Sequence, residues 1–392
     1  MRSEFLSFSP PMIGEEEIDE VVKTLRSGWI TTGPQVERFQ SDFKEYIGAD
    51  AALALNSCTS ALHVALAALG IGPGDKVVST PMTFASSIHV IEHVGAEPVL
   101  VDVEPDTLNI DPDQIEAAVK ADPTIKAIMP VHLYGHPAEM DPILDIARRH
   151  KLAVIEDAAH SLPASYRGRM IGAPVDGDVT NLVAFSFYAT KNLTTGEGGM
   201  LTGPPDIIDQ ARMWSLHGMS RDAFKRYTAE GSWFYEVLLP GFKYNMPDLQ
   251  AAMGIHQLAR LPQMQRRRRE LVDQYHEAFA RMDGLELPVE RADVQSAWHI
   301  YAIKLNLDRL RIDRAQFIDE LRTRNIGSSV HFIPVHIHPY YRDKYKFAAN
   351  RFPVAFGAYE RLVSLPLSPK LTDDDAADVI EAVEDILAKN AR

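Results

Sequence analysis

The 392-residue chain sets 40 Lys and Arg against 54 Asp and Glu, a formal charge of −14, which excludes a polyanion binder driven by overall charge. With 46% apolar and 24% charged residues it is neither disordered nor fibrous, and its length suits about two or three domains. Its single cysteine, Cys58, excludes a disulfide framework or a Cys-rich zinc site and fits a reducing compartment.

In chain order, Met1 to Leu6 lack the continuous apolar stretch of a secretory signal, so the chain reads as cytoplasmic, with residues 1–14 an N-terminal arm. Residues 51–74 contain no Asp, Glu, Lys or Arg, but the polar run from Asn56 to Ser60 interrupts them, which predicts a short strand and a helix instead of a membrane span. From there β-rich runs alternate with helical ones, the signature of a parallel sheet covered by helices. Strands are predicted at 51–55, 76–79, 98–103, 127–131, 153–156, 182–187 and 199–202, with helices at 60–69, 112–120 and 142–150. The expected fold is therefore α/β, with a large domain over 15–255 built on a seven-stranded, mostly parallel sheet. After Gly254 the sequence turns charged and helical at 258–279. A strand at 298–305, a helix at 314–324, a strand at 330–335 and a helix at 373–388 then predict a smaller C-terminal α+β domain over 256–392.

Ligands of such a sheet sit beyond the carboxyl ends of its strands, so polar residues there are the ones to inspect. After the first strand, Asn56-Ser57-Cys58-Thr59-Ser60 opens a helix whose free N–H groups suit a phosphate, although Ser57 or Thr59 acting as a plain cap explains the same residues. At 155–160 an apolar run meets Glu156 and Asp157, followed by His160; a carboxylate there either holds a protonated ring nitrogen or caps a following helix. A third cluster runs from Ser186 to Lys191 and on to Gly196-Glu197-Gly198-Gly199, where glycines permit close approach of backbone to a ligand. Burial would strip the Lys191 amine of its proton and make it nucleophilic. A phosphate cup, an acid, a hydroxyl and a lysine at different strand ends are what pyridoxal 5'-phosphate requires. Its phosphate needs donors, its pyridine nitrogen a carboxylate and its aldehyde an amine.

These residues, together with Ser27 to Pro34, Thr59-Ser60-Ala61-Leu62-His63 and Gly241-Phe242-Lys243-Tyr244-Asn245, make the chain resemble the sugar aminotransferases of the DegT and StrS type over nearly its whole length. That family has the fold type I architecture of pyridoxal phosphate enzymes. Within it, Gly28 to Pro34, His160 and Gly327 to Phe332 resemble the enzymes that aminate UDP-4-keto-arabinose. The resemblance implies that Lys191 binds the cofactor aldehyde and then shuttles protons, that Asp157 pairs with the pyridine nitrogen, and that Phe84 stacks on the ring. It implies phosphate contacts from Thr59, Ser60 and Ser186, and places His160 near the ring oxygen or ring face. It further implies that Asn245 reaches the phosphate from a neighbouring subunit, hence a homodimer with shared active sites, and that Thr31 and His331 meet the substrate, His331 at a phosphate. Cys58 stands where the family usually has Gly or Ala, and packs as a small hydrophobe. A lysine at 191 where a dehydrating branch has histidine argues for amination.

Other signals are set aside. Arg266 to Arg269 read as a solvated helix face, since Glu270, Asp273 and Glu277 follow, and not as a nucleic-acid patch. His331, His336 and His338, with no carboxylate between them and with Pro334 and Pro339 nearby, read as an irregular loop and not as a metal site. The Asn192-Leu193-Thr194 sequon is discarded for want of a secretion signal. The expected reaction moves an amino group from L-glutamate to the keto carbon, C4, of a nucleotide-linked ketosugar. The competing readings are another keto substrate, a sugar dehydration, or a non-catalytic regulatory protein of the same fold. No metal, nucleic-acid or membrane partner is expected.

Overall fold

The computed structural model describes residues 2–219 and 234–392. The seven expected strands form one sheet: β1 (Ala51–Leu55), β2 (Lys76–Ser79), β3 (Glu97–Leu100), β4 (Ile125–Ile128), β5 (Ala153–Asp157), β6 (Asn181–Ser186) and β7 (Gly199–Gly203), in the spatial order β1-β7-β6-β5-β4-β2-β3. Only β7 runs against its neighbours, pairing antiparallel with both β1 and β6. β3 and β4 end earlier than the apolar runs suggest. Val103 and Val131 instead make isolated bridges to Ile110 and Asp157. The strands read as near-continuous apolar runs because both faces are covered. On one face, helices Pro34–Ile47 and Met140–His150 and the first half of Asp248–Phe279 bury Phe39, Phe43, Ile143 and Leu258 against the sheet. On the other, helix Cys58–Ala68 is itself a core element, with Ala61, Leu62, Val64, Ala65 and Leu66 all inaccessible to solvent.

The C-terminal part has its own core, formed by Leu271, Tyr275 and Phe279 with Tyr301, Phe317, Val363 and Val383. Its sheet is antiparallel, with strands Leu285–Glu286, Tyr301–Leu305 and Leu362–Leu365. The strand expected at 330–335 is not formed. Only Ser329 bridges Ser364, and Pro334, which has no N–H to give a ladder, leads into a 3-10 turn at Val335–Ile337. The strand that completes this sheet is Leu362–Leu365, all four residues buried. The long helix begins at Asp248, ten residues before the charged run at 258, and passes the expected domain boundary at 255–256 without a break.

The four-arginine run on that helix is not a solvated face. Arg266 is exposed, but Arg267 pairs with Asp373 and Arg269 with Glu290. Arg268 is 2% exposed, its guanidinium on the carbonyls of Leu367 (3.2 Å) and Trp298 (3.5 Å). The helix lies between two layers, so four consecutive side chains necessarily face both packing surfaces as well as solvent. Among the described residues, no helix is long and apolar enough to cross a membrane.

Candidate active site

The carboxyl ends of β1, β2, β5 and β6 and the start of the reversed β7 open onto one cavity of about 520 Å³. Its lining includes Ser57, Cys58 and Thr59 after β1, Thr83 and Phe84 after β2, Asp157 and His160 from β5, and Ser186 and Lys191 from β6. Glycine at 199 is required by this convergence, because a Cβ there would lie 2.5 Å from the carbonyl carbon of Ser57 and 2.6 Å from the nitrogen of Cys58. Ser57 is the cap of helix Cys58–Ala68, its hydroxyl oxygen accepting the Ser60 N–H at 3.1 Å. Ala61 N–H goes to the Ser57 carbonyl, and the N–H groups of Cys58 and Thr59 have no protein acceptor among the described residues. Ser57 is thus the cap, and other atoms of the same turn remain able to receive an anion.

The two acids at the end of β5 have different fates. Glu156 is inaccessible, holding His132 Nε2 at 2.6 Å and Asn181 Nδ2 at 2.6 Å, and these partners keep its carboxyl below the ordinary value against the opposing effect of burial. Asp157 faces the cavity. Ser87 Oγ donates to it at 2.7 Å and Ala159 N–H at 3.1 Å, and no helix follows for it to cap. Lys191 lines the cavity on the neighbouring strand end, and desolvation lowers its amine to about 8, against the opposing pull of Asp157 and Cys58. The Cys58 thiol, beside Asp157, is pushed well up by burial and packs as a neutral group.

His160 is buried and accepts the Tyr134 N–H at Nδ1 (3.2 Å), so its hydrogen sits on Nε2. Burial, with Lys191 and His331 near it, drives its pKa well below the usual value. His331 also lines the cavity, its Nδ1 2.8 Å from Ser364 Oγ and its ring stacked on Phe8, and burial lowers it to about 4. Phe84 is 64% exposed at the rim, tilted against Phe332 with ring centres 6.1 Å apart. His336 turns away, its Nε2 on the Ala349 carbonyl, so this histidine run does not converge. Among the described residues no His, Cys, Asp and Glu group is arranged to hold a metal.

Not every expected residue reaches the cavity. Ser60 turns its hydroxyl to Asn56 Oδ1 at 2.6 Å. Asn245, beside Leu55, donates to Thr32 Oγ1 at 2.7 Å, and Thr31 is exposed on that same loop; neither lines the cavity of its own chain. Conversely, His299 lines the cavity and Ser87 holds Asp157 from behind it, and both escape the sequence reading; Phe332, noted there only within the run Gly327 to Phe332, lines the cavity as well. Ser87 looks like an ordinary helix start, and His299 and Phe332 sit in irregular backbone.

The donor set fits pyridoxal 5'-phosphate: two free N–H groups with Thr59 and Ser186 for an anion, an acid held by a buried hydroxyl, and an amine of lowered basicity. Comparison with known proteins agrees. The Spore coat polysaccharide biosynthesis protein SpsC of Bacillus subtilis is 51% identical over 388 residues, covering 98% of each chain. The protein Spr1654 of Streptococcus pneumoniae, solved in PMP and PLP forms, superimposes with TM-scores of 0.91 and 0.90 at 34% identity, over 98% of this chain and 99% of that one. DesV of S. venezuelae superimposes with a TM-score of 0.85 at 35% identity, over 95% of this chain and 94% of its own. Residues 11–384 match the DegT/DnrJ/EryC1/StrS aminotransferase family, and the chain belongs to that family of pyridoxal phosphate-dependent sugar aminotransferases.

Proposed function

We propose that the chain transfers the amino group of L-glutamate to the keto carbon, C4, of a nucleotide-linked ketosugar, as a cytoplasmic homodimer with shared active sites. The observation that carries this reading is the juxtaposition of the Lys191 amine, lowered to about 8, and the Asp157 carboxyl at the ends of adjacent strands in one cavity. Pyridoxal 5'-phosphate bound there draws electron density from the carbon that bears the amino group. Lys191 Nζ takes the proton from the donor's α carbon and later returns one to the sugar carbon, a role that suits an amine titrating near the working pH. Asp157, oriented by Ser87 and Ala159, holds the positive charge of the ring nitrogen. Thr59, Ser186 and the N–H groups of Cys58 and Thr59 receive the phosphate, with Ser60 serving the turn that presents them. Phe84 would cover the ring face, and the Nε2–H of His160 would offer a donor beside it.

A shared site is supported by where Thr31 and Asn245 lie, outside their own cavity. Apolar side chains on neighbouring segments are bare as well: Trp29, Ile30, Val237 and Leu238 are all more than two-fifths exposed. Asn245 then serves the phosphate, and Thr31 the substrate, of the partner. The rim of Phe84, Phe332 and His331 suits a sugar linked to a nucleotide, aromatic faces for rings and a donor for phosphate. The Bacillus relative is named for polysaccharide biosynthesis, a use that an aminated sugar would suit.

Purified protein incubated with amino-¹⁵N glutamate and a panel of nucleotide-linked 4-ketosugars is expected to release 2-oxoglutarate and yield a labelled aminosugar by mass spectrometry. Label passing only to simple α-keto acids would overturn the substrate assignment. Borohydride reduction followed by peptide mapping is expected to place the cofactor on Lys191.

A further inference from the structure

One buried group beside the Lys191 amine is not used by the reading above. His299 is 5% exposed, and its Nε2 lies 3.4 Å from Lys191 Nζ. Its other nitrogen, Nδ1, faces Asn192 Oδ1 at 3.1 Å. The amide of Asn192 is in turn oriented, because its Nδ2 donates to the Ala297 carbonyl at 2.7 Å. With Oδ1 presented to the ring, Nδ1 carries the hydrogen and Nε2 keeps a lone pair aimed at the lysine. The groups facing this imidazole are Lys191, His160, Arg268 and His331, and together with burial they hold it far below its ordinary basicity. It therefore stays an acceptor throughout the neutral range.

The backbone that delivers His299 is built for the purpose. Trp298, just before it, has φ of 46°, and Tyr134, opposite, has φ of 61°, both in the left-handed region that side chains disfavour. The two segments are laced by Ala297 N–H to Gly135 O at 2.9 Å and His299 N–H to Tyr134 O at 2.8 Å. At Gly135, with φ of 102°, a Cβ would lie 2.8 Å from Trp298 N and 3.0 Å from His299 N. No side chain fits there while His299 keeps its place.

We infer that His299 is a positioning residue for Lys191, accepting a hydrogen bond from the lysine amine through Nε2 in a tautomer fixed by Asn192. This rests on the reading that Lys191 carries the proton transfers. When the amine is free of the cofactor, the bond sets the direction of its lone pair and steadies its protonated form, so the amine does not lose its proton too early.

The test compares His299→Asn, whose amide occupies the Nδ1 position and cannot reach Lys191, with His299→Gln, whose amide oxygen occupies the Nε2 position. Reductive methylation of the full-length, cofactor-stripped protein at a series of pH values, with peptide mass mapping, reads the Lys191 midpoint directly. The wild type is expected near 8. His299→Asn is expected about one pH unit lower, and His299→Gln within a few tenths of the wild type, since a hydrogen bond to a charged group is worth about one unit. Turnover of the loaded enzyme is expected to follow, falling about tenfold in His299→Asn and recovering in His299→Gln. An unchanged midpoint in folded His299→Asn overturns the inference. Turnover surviving in Lys191→Ala overturns instead the reading beneath it, and leaves the labelling result as it stands.

Discussion

The cavity has two walls built by opposite means. One is built on the regular sheet: Asp157 and Ser186 emerge where apolar strands stop, placed by strand register, and Lys191 follows on the turn just beyond the second. The other, made of Trp298-His299 and His331-Phe332, has no regular structure and depends on long-range contacts with Tyr134, Gly135 and Ser364. The difference teaches that, on the proposed reading, the sheet side supplies the reacting groups and the irregular wall aims and encloses them. Substitutions in the first should therefore abolish chemistry at little cost in stability, and those in the second should disturb both.

The largest expected effect is that of Lys191→Ala, a loss of at least about 10⁴-fold in turnover with the circular-dichroism spectrum unchanged, because in the proposed mechanism one amine serves as nucleophile, base and acid. Next, Asp157→Asn is expected to cost about 10²- to 10³-fold in kcat, by removing the charge that faces the ring nitrogen. Its neighbour sharpens the comparison. Glu156→Gln, which breaks the inaccessible contact with His132, is expected to lower the urea-unfolding stability by about 3 kcal/mol while leaving kcat within severalfold. From the irregular wall, Gly135→Ala is expected to cost about 1–3 kcal/mol and several-fold in turnover together, since its Cβ displaces Trp298 and His299. The smallest effect is one of pH. Only the unprotonated amine attacks an aldehyde, so the rate of pyridoxal 5'-phosphate capture by stripped protein is expected to rise about tenfold between about pH 7 and 9 and then level off. A rate still climbing about a hundredfold over that range, with no levelling, would mean that the amine is not desolvated as the cavity implies.

The same division explains what the amino-acid sequence reveals. The seven strands are legible because each is a short apolar run bounded by turn residues, and Asp157 and Lys191 are legible because a polar group abruptly ends such a run. The strand at Leu362–Leu365 escapes because its four residues sit in a context of short helices, while Val330 to Val335 imitate a strand but lack the donor that Pro334 cannot give. Arg268 misleads for a different reason. Nothing local distinguishes it from the arginines on either side, and only the packing of its helix between two layers buries it. His299 and Ser87 depend on partners more than 60 residues away in sequence, Lys191 and Asp157, and no local pattern encodes such a meeting.

The unbroken helix Asp248–Phe279 has a mechanical consequence. At about 1.5 Å per residue its 32 residues form a strut roughly 48 Å long. At one end Asp248 grips the N–H groups of Gly33 and Val36, steadying the loop that carries Thr31. Further along, Arg268 and Arg269 brace the backbone at Trp298 and the carboxylate of Glu290, beside His299. Both contacts lie on one continuous helix, so the loop that carries Thr31 and the turn that bears His299 are tied to the same girder.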